Sequence, residues 1–450
     1  VDAQRAGICH LYRLGHGLSE IKALKLAKEK IRRMKMIDFE MPETLKQTQR
    51  VVQTVAENMM RPVSRKFDEN EHDIPWDYIN FMHTATKAMG GTSMVPDEGK
   101  KEKKEEKKKR PSLGYQRLMV MVETLSWGDA GIYLCTPGGM LGSAAVAAAG
   151  TDEQKERFLP RFLGDEPVFD AMAMTEPQAG SDTSNIQATA KLDEETNEWV
   201  LNGEKIFVTA GHKALEESNG FIVVWATIDP EAGRKGIRSF IIEAGTPGCK
   251  VTKLEDKLGI RASDTASIVL QDCRIPFENI LGSPTVEKST KGYKGAMETF
   301  DATRPIVAAS ALGVARAALE FVQEKLEEEG IKISYGKPRQ KLTNLERDMM
   351  DMEIQLRSAW WLTVKALWMA DNKQRNALAA SMSKVKAGDV ATKITQKAVE
   401  LLGPLGYSKE YLVEKWFRDA KINDIFEGTG QINRLIVARN ILGYRGSQLR

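Results

Sequence analysis

The chain has 450 residues, 42% of them hydrophobic and 28% charged, enough for two or three packed layers or domains with a real core. A net charge of +3 is too small to argue for nucleic acid or a membrane surface, so any electrostatic recognition must be local. The cysteines, Cys9, Cys135, Cys249 and Cys273, show no CxxC spacing, which argues against a disulfide framework or zinc site and for a reducing compartment.

No apolar run approaches the ~18–20 residues of a membrane span. Residues 1–35 read as an N-terminal extension with a basic amphipathic stretch from Ser19, not as a secretory signal. Residues 36–170 read as mainly helical. "PETLKQTQRVVQTVAENMMRPVSRKFDE" has apolar residues at helical spacing, Pro42 suits a first turn, and Thr151 with Gln154 forms a capping-box pattern. The run "KKEKKEEKKKR" at 100–110 has too little apolar content to order itself. It reads as a solvated insertion. A basic arm for phosphates is the competing reading, weakened by Glu102, Glu105 and Glu106.

Over residues 171–285 the period changes to short β-rich runs such as "EWVLNGEKIFVTAG" and "GFIVVWATI", punctuated by Asn-Gly and Gly. From 286 to 450 the pattern is helical again. Val307, Ala311, Val314, Ala315, Ala318 and Val322 share one apolar face, and two more long runs cover about 341–371 and 375–402.

HExxH, GxSxG and Walker A sequences are absent, and the histidines lie at no metal-ligand spacing, so no metal site is expected. "GTGQIN" begins like a dinucleotide fingerprint, but Asn433 stands where the third Gly belongs and no strand precedes it. Two stretches stand out. "AMTEPQAGSDT" (173–183) offers hydroxyls and unhindered backbone donors to a flat polar ligand. "DIFEGTGQINR" (424–434) puts Glu427 on a glycine-rich turn beside Ile425 and Phe426. An apolar setting there would raise the carboxyl above its ~4.3 reference and favour general-base work. Turn chemistry and helix capping account for either stretch taken alone.

Together, "GTDEQKERFLPRFLGDEPVFDAMAMTEPQAGSD", "LNGEKIFVTAG", "FDATRP" and "RDAKINDIFEGTGQINRLIVAR" resemble the acyl-CoA dehydrogenase family, in order and over almost the whole chain from residue 38. The resemblance implies an α+β multidomain fold: an N-terminal helical domain, a central β-barrel-like domain and a C-terminal four-helix bundle. It implies FAD as cofactor, contacted by Met172, Met174, Thr175, Gly180, Ser181, Phe207, Thr209, Thr429 and Gln431. Lys332, Ser334 and Tyr335 would serve a neighbouring subunit's FAD. It implies Glu427 as catalytic base and Ser181, Asp301, Arg304, Phe426 and Gly428 as acyl-CoA contacts. Some branches carry the base just before the arginine of "FDATRP", but Thr303 occupies that position and cannot act as a carboxylate. Phe207 stands where many relatives have Trp, and Pro404 replaces a glycine in "LGPLGY". Lys332 keeps a charge where the family has Arg but loses the bidentate fork.

The resemblance further implies α,β-dehydrogenation of an acyl-CoA thioester to a trans-2-enoyl-CoA. It implies an electron-transfer flavoprotein as acceptor, a homotetramer and a cytoplasmic or mitochondrial matrix location. An oxygen-using acyl-CoA oxidase and a DNA-associated member of the superfamily are the alternatives.

Overall fold

The computed structural model describes residues 40–88, 113–282, 284–286, 291–444 and 448, with the backbone alone over 291–302. The 1–35 extension, the 100–110 insertion, Cys9, His10 and His16 lie outside the described residues.

Helix α1 (Glu43–Val55) starts one residue after Pro42, where a missing N–H costs nothing. A π turn and a 3-10 turn lead into α2 (Ser64–Glu69). Then come α3 (Trp76–Ala88), α4 (Gly114–Tyr133), α5 (Leu141–Ala149) and α6 (Asp152–Phe158). The expected capping box opens α6: Gln154 N donates to Thr151 Oγ1 at 3.2 Å and Thr151 N to Gln154 Oε1 at 2.9 Å. Helix α4 breaks at Asp129, whose backbone is extended. Its carboxylate accepts the Ile132 N–H at 2.8 Å and so caps the final turn carrying Tyr133.

The middle of the chain forms β1 (Asp170–Ala173), β2 (Thr189–Asp193), β3 (Glu198–Thr209), the short helix α7 (Gly211–Leu215), and β4 (Phe221–Thr227). Strands β5 (Ile237–Glu243), β6 (Cys249–Leu254), β7 (Thr265–Pro276) and β8 (Ile280–Leu281) complete it. The mixed sheet has the order β6-β7-β3-β2-β4-β5-β8, with β1 parallel to β4. Strand β4, "FIVVWAT", is buried at every residue, as a strand covered on both faces must be. Against β7, β3 changes register between Lys205 and Val208. This bulge takes Ile206 and Phe207 out of the ladder and turns Phe207 to φ +57°, re-aiming its side chain.

The last part is helical: α8 (Lys291–Glu328), α9 (Asn344–Asp371), α10 (Ala377–Leu402), α11 (Pro404–Tyr407), α12 (Val413–Ile422) and α13 (Gly430–Leu442). Helix α8 packs on α4, α9 and α10. Its predicted stripe, Val307 to Val322, is buried throughout. One point corrects the sequence reading: Thr303–Glu328 is long and apolar enough to cross a membrane by composition. In this fold that apolarity fills the core between helices.

Buried charges tie the three parts together. Lys415 of α12 pairs with Asp129 of α4 at 2.8 Å and with Asp419 at 2.6 Å. Asp419 accepts the Ile260 N–H at 2.6 Å, and Arg418 pairs with Asp68 at 2.6 Å. Gly259 allows the approach, since a Cβ there would lie 2.5 Å from the Arg418 carbonyl carbon. Helix α12 is thereby fixed just before the turn that carries Glu427.

Candidate active site

After α12 the chain turns tightly. Ile425 N donates to Ile422 O at 2.8 Å, Phe426 N to the same oxygen at 3.1 Å, and Gly430 N to Asp424 O at 2.9 Å. Thr429 then caps α13 by accepting the Ile432 N–H at 3.2 Å. Between them Glu427 sits at φ +53° and Gly428 at φ +91°. Glycine tolerates this region, but a glutamate there costs on the order of 1–3 kcal/mol. The strained residue of this turn is therefore the carboxylate itself.

Glu427 is half-buried as a residue, yet its Oε2 is shut off from solvent and has no hydrogen-bond partner. The apolar neighbours expected from sequence are not what encloses it. Ile425 is exposed and Phe426 half-buried. The charge is felt instead by Thr303 and Arg304 of α8, Lys384 of α10 and Tyr133 at the end of α4. Burial pushes the Glu427 carboxyl above its ordinary value, while the Thr303 hydroxyl, Lys384 and Arg304 act against the rise. The hydroxyl is near enough to favour the charged form, but Thr303 Oγ1 is not placed to satisfy Oε2, and both atoms stay unpartnered.

Lys384 was not singled out from the sequence. It is 1% exposed, and its Nζ donates to Gly428 O at 2.5 Å. The same oxygen accepts from Asn433 Nδ2 at 2.8 Å. Its signal was legible: Lys384 falls in phase with Ala380, Ala387, Ala391, Ile394 and Ala398, a buried helical stripe. A lysine on such a stripe needs a partner.

A second group forms where β1 leaves the sheet. Ile206 N donates to Thr175 O at 2.9 Å, which sets Thr175 beside the β3 bulge. Lys205 reaches Met174 O at 3.3 Å and Glu176 Oε1 at 2.5 Å. Glu176 in turn accepts the Gln187 and Ala188 N–H groups at 2.6 and 3.0 Å, so the 174–188 loop is held from within. Met174 is buried, Met172, Thr175 and Thr209 half-buried, and Gly180 and Ser181 exposed. Phe207 is 61% exposed. A flat apolar ring left open beside a threonine hydroxyl suits a planar conjugated ligand.

Three family descriptions match the chain in order: acyl-CoA dehydrogenase N-terminal domain over residues 42–166, middle domain over 171–273 and C-terminal domain over 290–442. The chain belongs to the acyl-CoA dehydrogenase family. It is 35% identical over 422 residues to an acryloyl-CoA reductase (NADH) of Anaerotignum propionicum, covering 93% of this chain and 99% of that one. It is 34% identical over 405 residues to the mitochondrial short-chain specific acyl-CoA dehydrogenase of Rattus norvegicus, covering 90% and 91%. The solved butyryl-CoA dehydrogenase of Megasphaera elsdenii matches with a TM-score of 0.75 at 31% identity, covering 90% of this chain and 100% of that one.

This acyl-CoA dehydrogenase is thus an FAD-dependent oxidoreductase acting on acyl-CoA. The residues present fit a flavin: the bared Phe207 ring, the Thr175 hydroxyl, and open space at Gly180, where a Cβ would meet nothing within 4 Å. The fold brings Met174, Thr175, Phe207 and Thr209 together, and separately gathers Glu427, Gly428 and Arg304. Gln431 is exposed on α13, and the Thr429 hydroxyl is engaged as a helix cap. Lys332, Ser334 and Tyr335 lie on the segment between α8 and α9. Their hydrogen bonds, Ser334 N to Glu346 at 3.3 Å and Tyr335 Oη to Glu353 at 2.8 Å, tie that segment to α9 and not to the loop at 174–188. Asp301 lies on α8, and its side chain is outside the described residues.

Proposed function

We propose that this acyl-CoA dehydrogenase converts a short acyl-CoA thioester to the trans-2-enoyl-CoA, with Glu427 as the base. The observation that carries this reading is a carboxylate on a strained turn with one buried oxygen left without a partner. Such an oxygen is tied up in no hydrogen bond within the protein and is ready to take the α-proton. When bound, FAD supplies the acceptor for the β-hydride. This chain's residues do the rest. Thr175, Phe207 and the loop held by Glu176 and Lys205 orient the cofactor. The Glu427 N–H, which donates to no backbone carbonyl among the described residues, is available to the thioester oxygen as enolate character develops. Arg304 adds positive charge near the same site.

The short chain length rests on the names of the relatives, a short-chain specific dehydrogenase and a butyryl-CoA dehydrogenase. The relative named acryloyl-CoA reductase (NADH) favours a second reading in which the physiological direction is reduction of a short enoyl-CoA. An electron-transfer flavoprotein is the proposed redox partner. Exposed Leu435, Ile441 and Leu442 on α13 suit an interface between copies of the chain; the homotetramer is the proposed assembly, to be measured by light scattering.

The test is anaerobic flavin bleaching against straight, branched and aromatic acyl-CoA thioesters. Glu427→Gln keeps FAD but does not bleach. Bleaching of that variant at the wild-type rate removes Glu427 as the base. Rapid reoxidation in air without an acceptor protein marks an oxidase.

A further inference from the structure

We infer that Lys384 is a positioning residue for the base: its ammonium and the Asn433 amide clamp the Gly428 carbonyl and hold Glu427 aimed at the substrate. The inference rests on Glu427 being that base.

The geometry is specific. The Gly428 oxygen has two lone pairs, and both are used, by Lys384 Nζ at 2.5 Å and Asn433 Nδ2 at 2.8 Å. The peptide so held links Gly428 to Thr429, directly after the two left-handed residues, Glu427 and Gly428. A strained turn persists only when its surroundings over-determine it. Two donors from two helices, α10 and α13, supply that constraint. Asn433 adds a second bond to Thr429 O at 3.1 Å and is itself fully buried.

Lys384 has no carboxylate within ion-pair distance among the described residues. A buried ammonium whose hydrogen bond goes to a main-chain oxygen is an expensive way to stabilise a helix bundle. Its cost is explained if the charge serves the site. Asp424 and Glu427 favour its charged form and Arg304 opposes it; Thr303 and Tyr133 are the other groups facing the carboxylate. Burial lowers the Lys384 pKa to about 8. Within the neutral range it therefore remains a cation that favours ionised Glu427, and above pH about 8 the clamp loses its charge.

The experiment follows the proton alone. In holoenzyme whose flavin is pre-reduced with dithionite, net oxidation is closed off. Exchange of butyryl-CoA α-protons for deuterium is then read by NMR across pH. Lys384→Met is expected to slow exchange roughly 10- to 100-fold with butyryl-CoA binding nearly unchanged, and to move the acidic midpoint to higher pH. Lys384→Gln keeps a donor without the charge. It recovers part of the rate, keeps the raised midpoint, and lacks the wild-type loss of exchange above pH about 8. Wild-type rates and pH profiles in both variants overturn the inference. So does slow exchange with an unchanged pH profile, since that is what a packing defect produces. Glu427→Gln is run beside them. Wild-type exchange in that variant sinks the base assignment, whereas a dead Glu427→Gln with unaffected Lys384 variants sinks only the clamp.

Discussion

Lys205 and Glu176 form an ion pair of 2.5 Å with both side chains closed to solvent. It joins β3, just before its Phe207 bulge, to the loop that carries Thr175. Removing only the cation leaves a buried carboxylate without its counter-charge, which costs about 3–5 kcal/mol. Lys205→Met is therefore expected to lower the denaturation midpoint sharply and to release FAD. Adding Glu176→Gln removes the stranded charge while keeping an acceptor for one of the Gln187 and Ala188 N–H groups, and part of the stability returns. If Lys205→Met holds FAD with wild-type affinity, the loop does not depend on this pair.

Phe207 separates cofactor binding from stability. Its ring is exposed and its backbone is already in the left-handed region, so it adds little to the core. Phe207→Ala is expected to leave the melting temperature of the FAD-free protein unchanged. It should weaken FAD binding by about tenfold, the worth of one aromatic contact of about 1–1.5 kcal/mol. Titration of apoprotein with FAD, followed by fluorescence, measures this directly.

The helix-strand-helix order was legible because periodicity is strong in α8 and alternation is strong in β3. Thr151 with Gln154 marked its capping box without ambiguity. The site was legible only in part. Glu427 and Thr175 stand in recognisable motifs, but a motif does not reveal that Glu427 itself takes the left-handed conformation. Nor did local sequence identify what encloses the carboxylate. Ile425 and Phe426 are its neighbours in the chain, whereas Arg304, Lys384 and Tyr133 arrive from three other helices. Lys205, Lys384 and Lys415 shared one signal, a lysine in the buried phase of its element. Each has its partner far away in sequence, at Glu176, Gly428 and Asp129.

The Glu427 carboxyl gives a pH prediction with two halves. Burial raises its pKa, and only the ionised form accepts a proton. The rate of flavin bleaching should therefore fall on acidification through a midpoint above about 4.3. Stability runs the other way. A raised folded pKa means that the fold favours the protonated acid. This contribution is full below the unfolded pKa and is lost as pH rises through the folded one. Glu427→Gln escapes that loss. It should melt at a higher temperature than wild type at pH 7 and at a similar temperature at acidic pH, while failing to bleach. Equal melting temperatures at pH 7 show that ionised Glu427 carries no folding cost.

Lys415 lies between Asp129 and Asp419, with all three side chains buried. Burial alone would lower its pKa, but the two carboxylates outweigh that and raise it. Its stabilisation is therefore fully present below the unfolded lysine value of about 10.4 and is lost as pH rises through the higher folded value. Lys415→Met leaves two carboxylates facing each other out of water. It should cost about 3–5 kcal/mol at neutral pH, read as a fall in the urea midpoint. Because the mutant carries no titrating cation here, the gap between it and wild type should narrow in strong alkali. The damage should also reach the chemistry: α12 leads straight into the Glu427 turn, so surviving Lys415→Met protein should bleach slowly even when FAD is bound. A variant that loses stability yet bleaches at the wild-type rate shows that the turn is fixed from α10 and α13 alone.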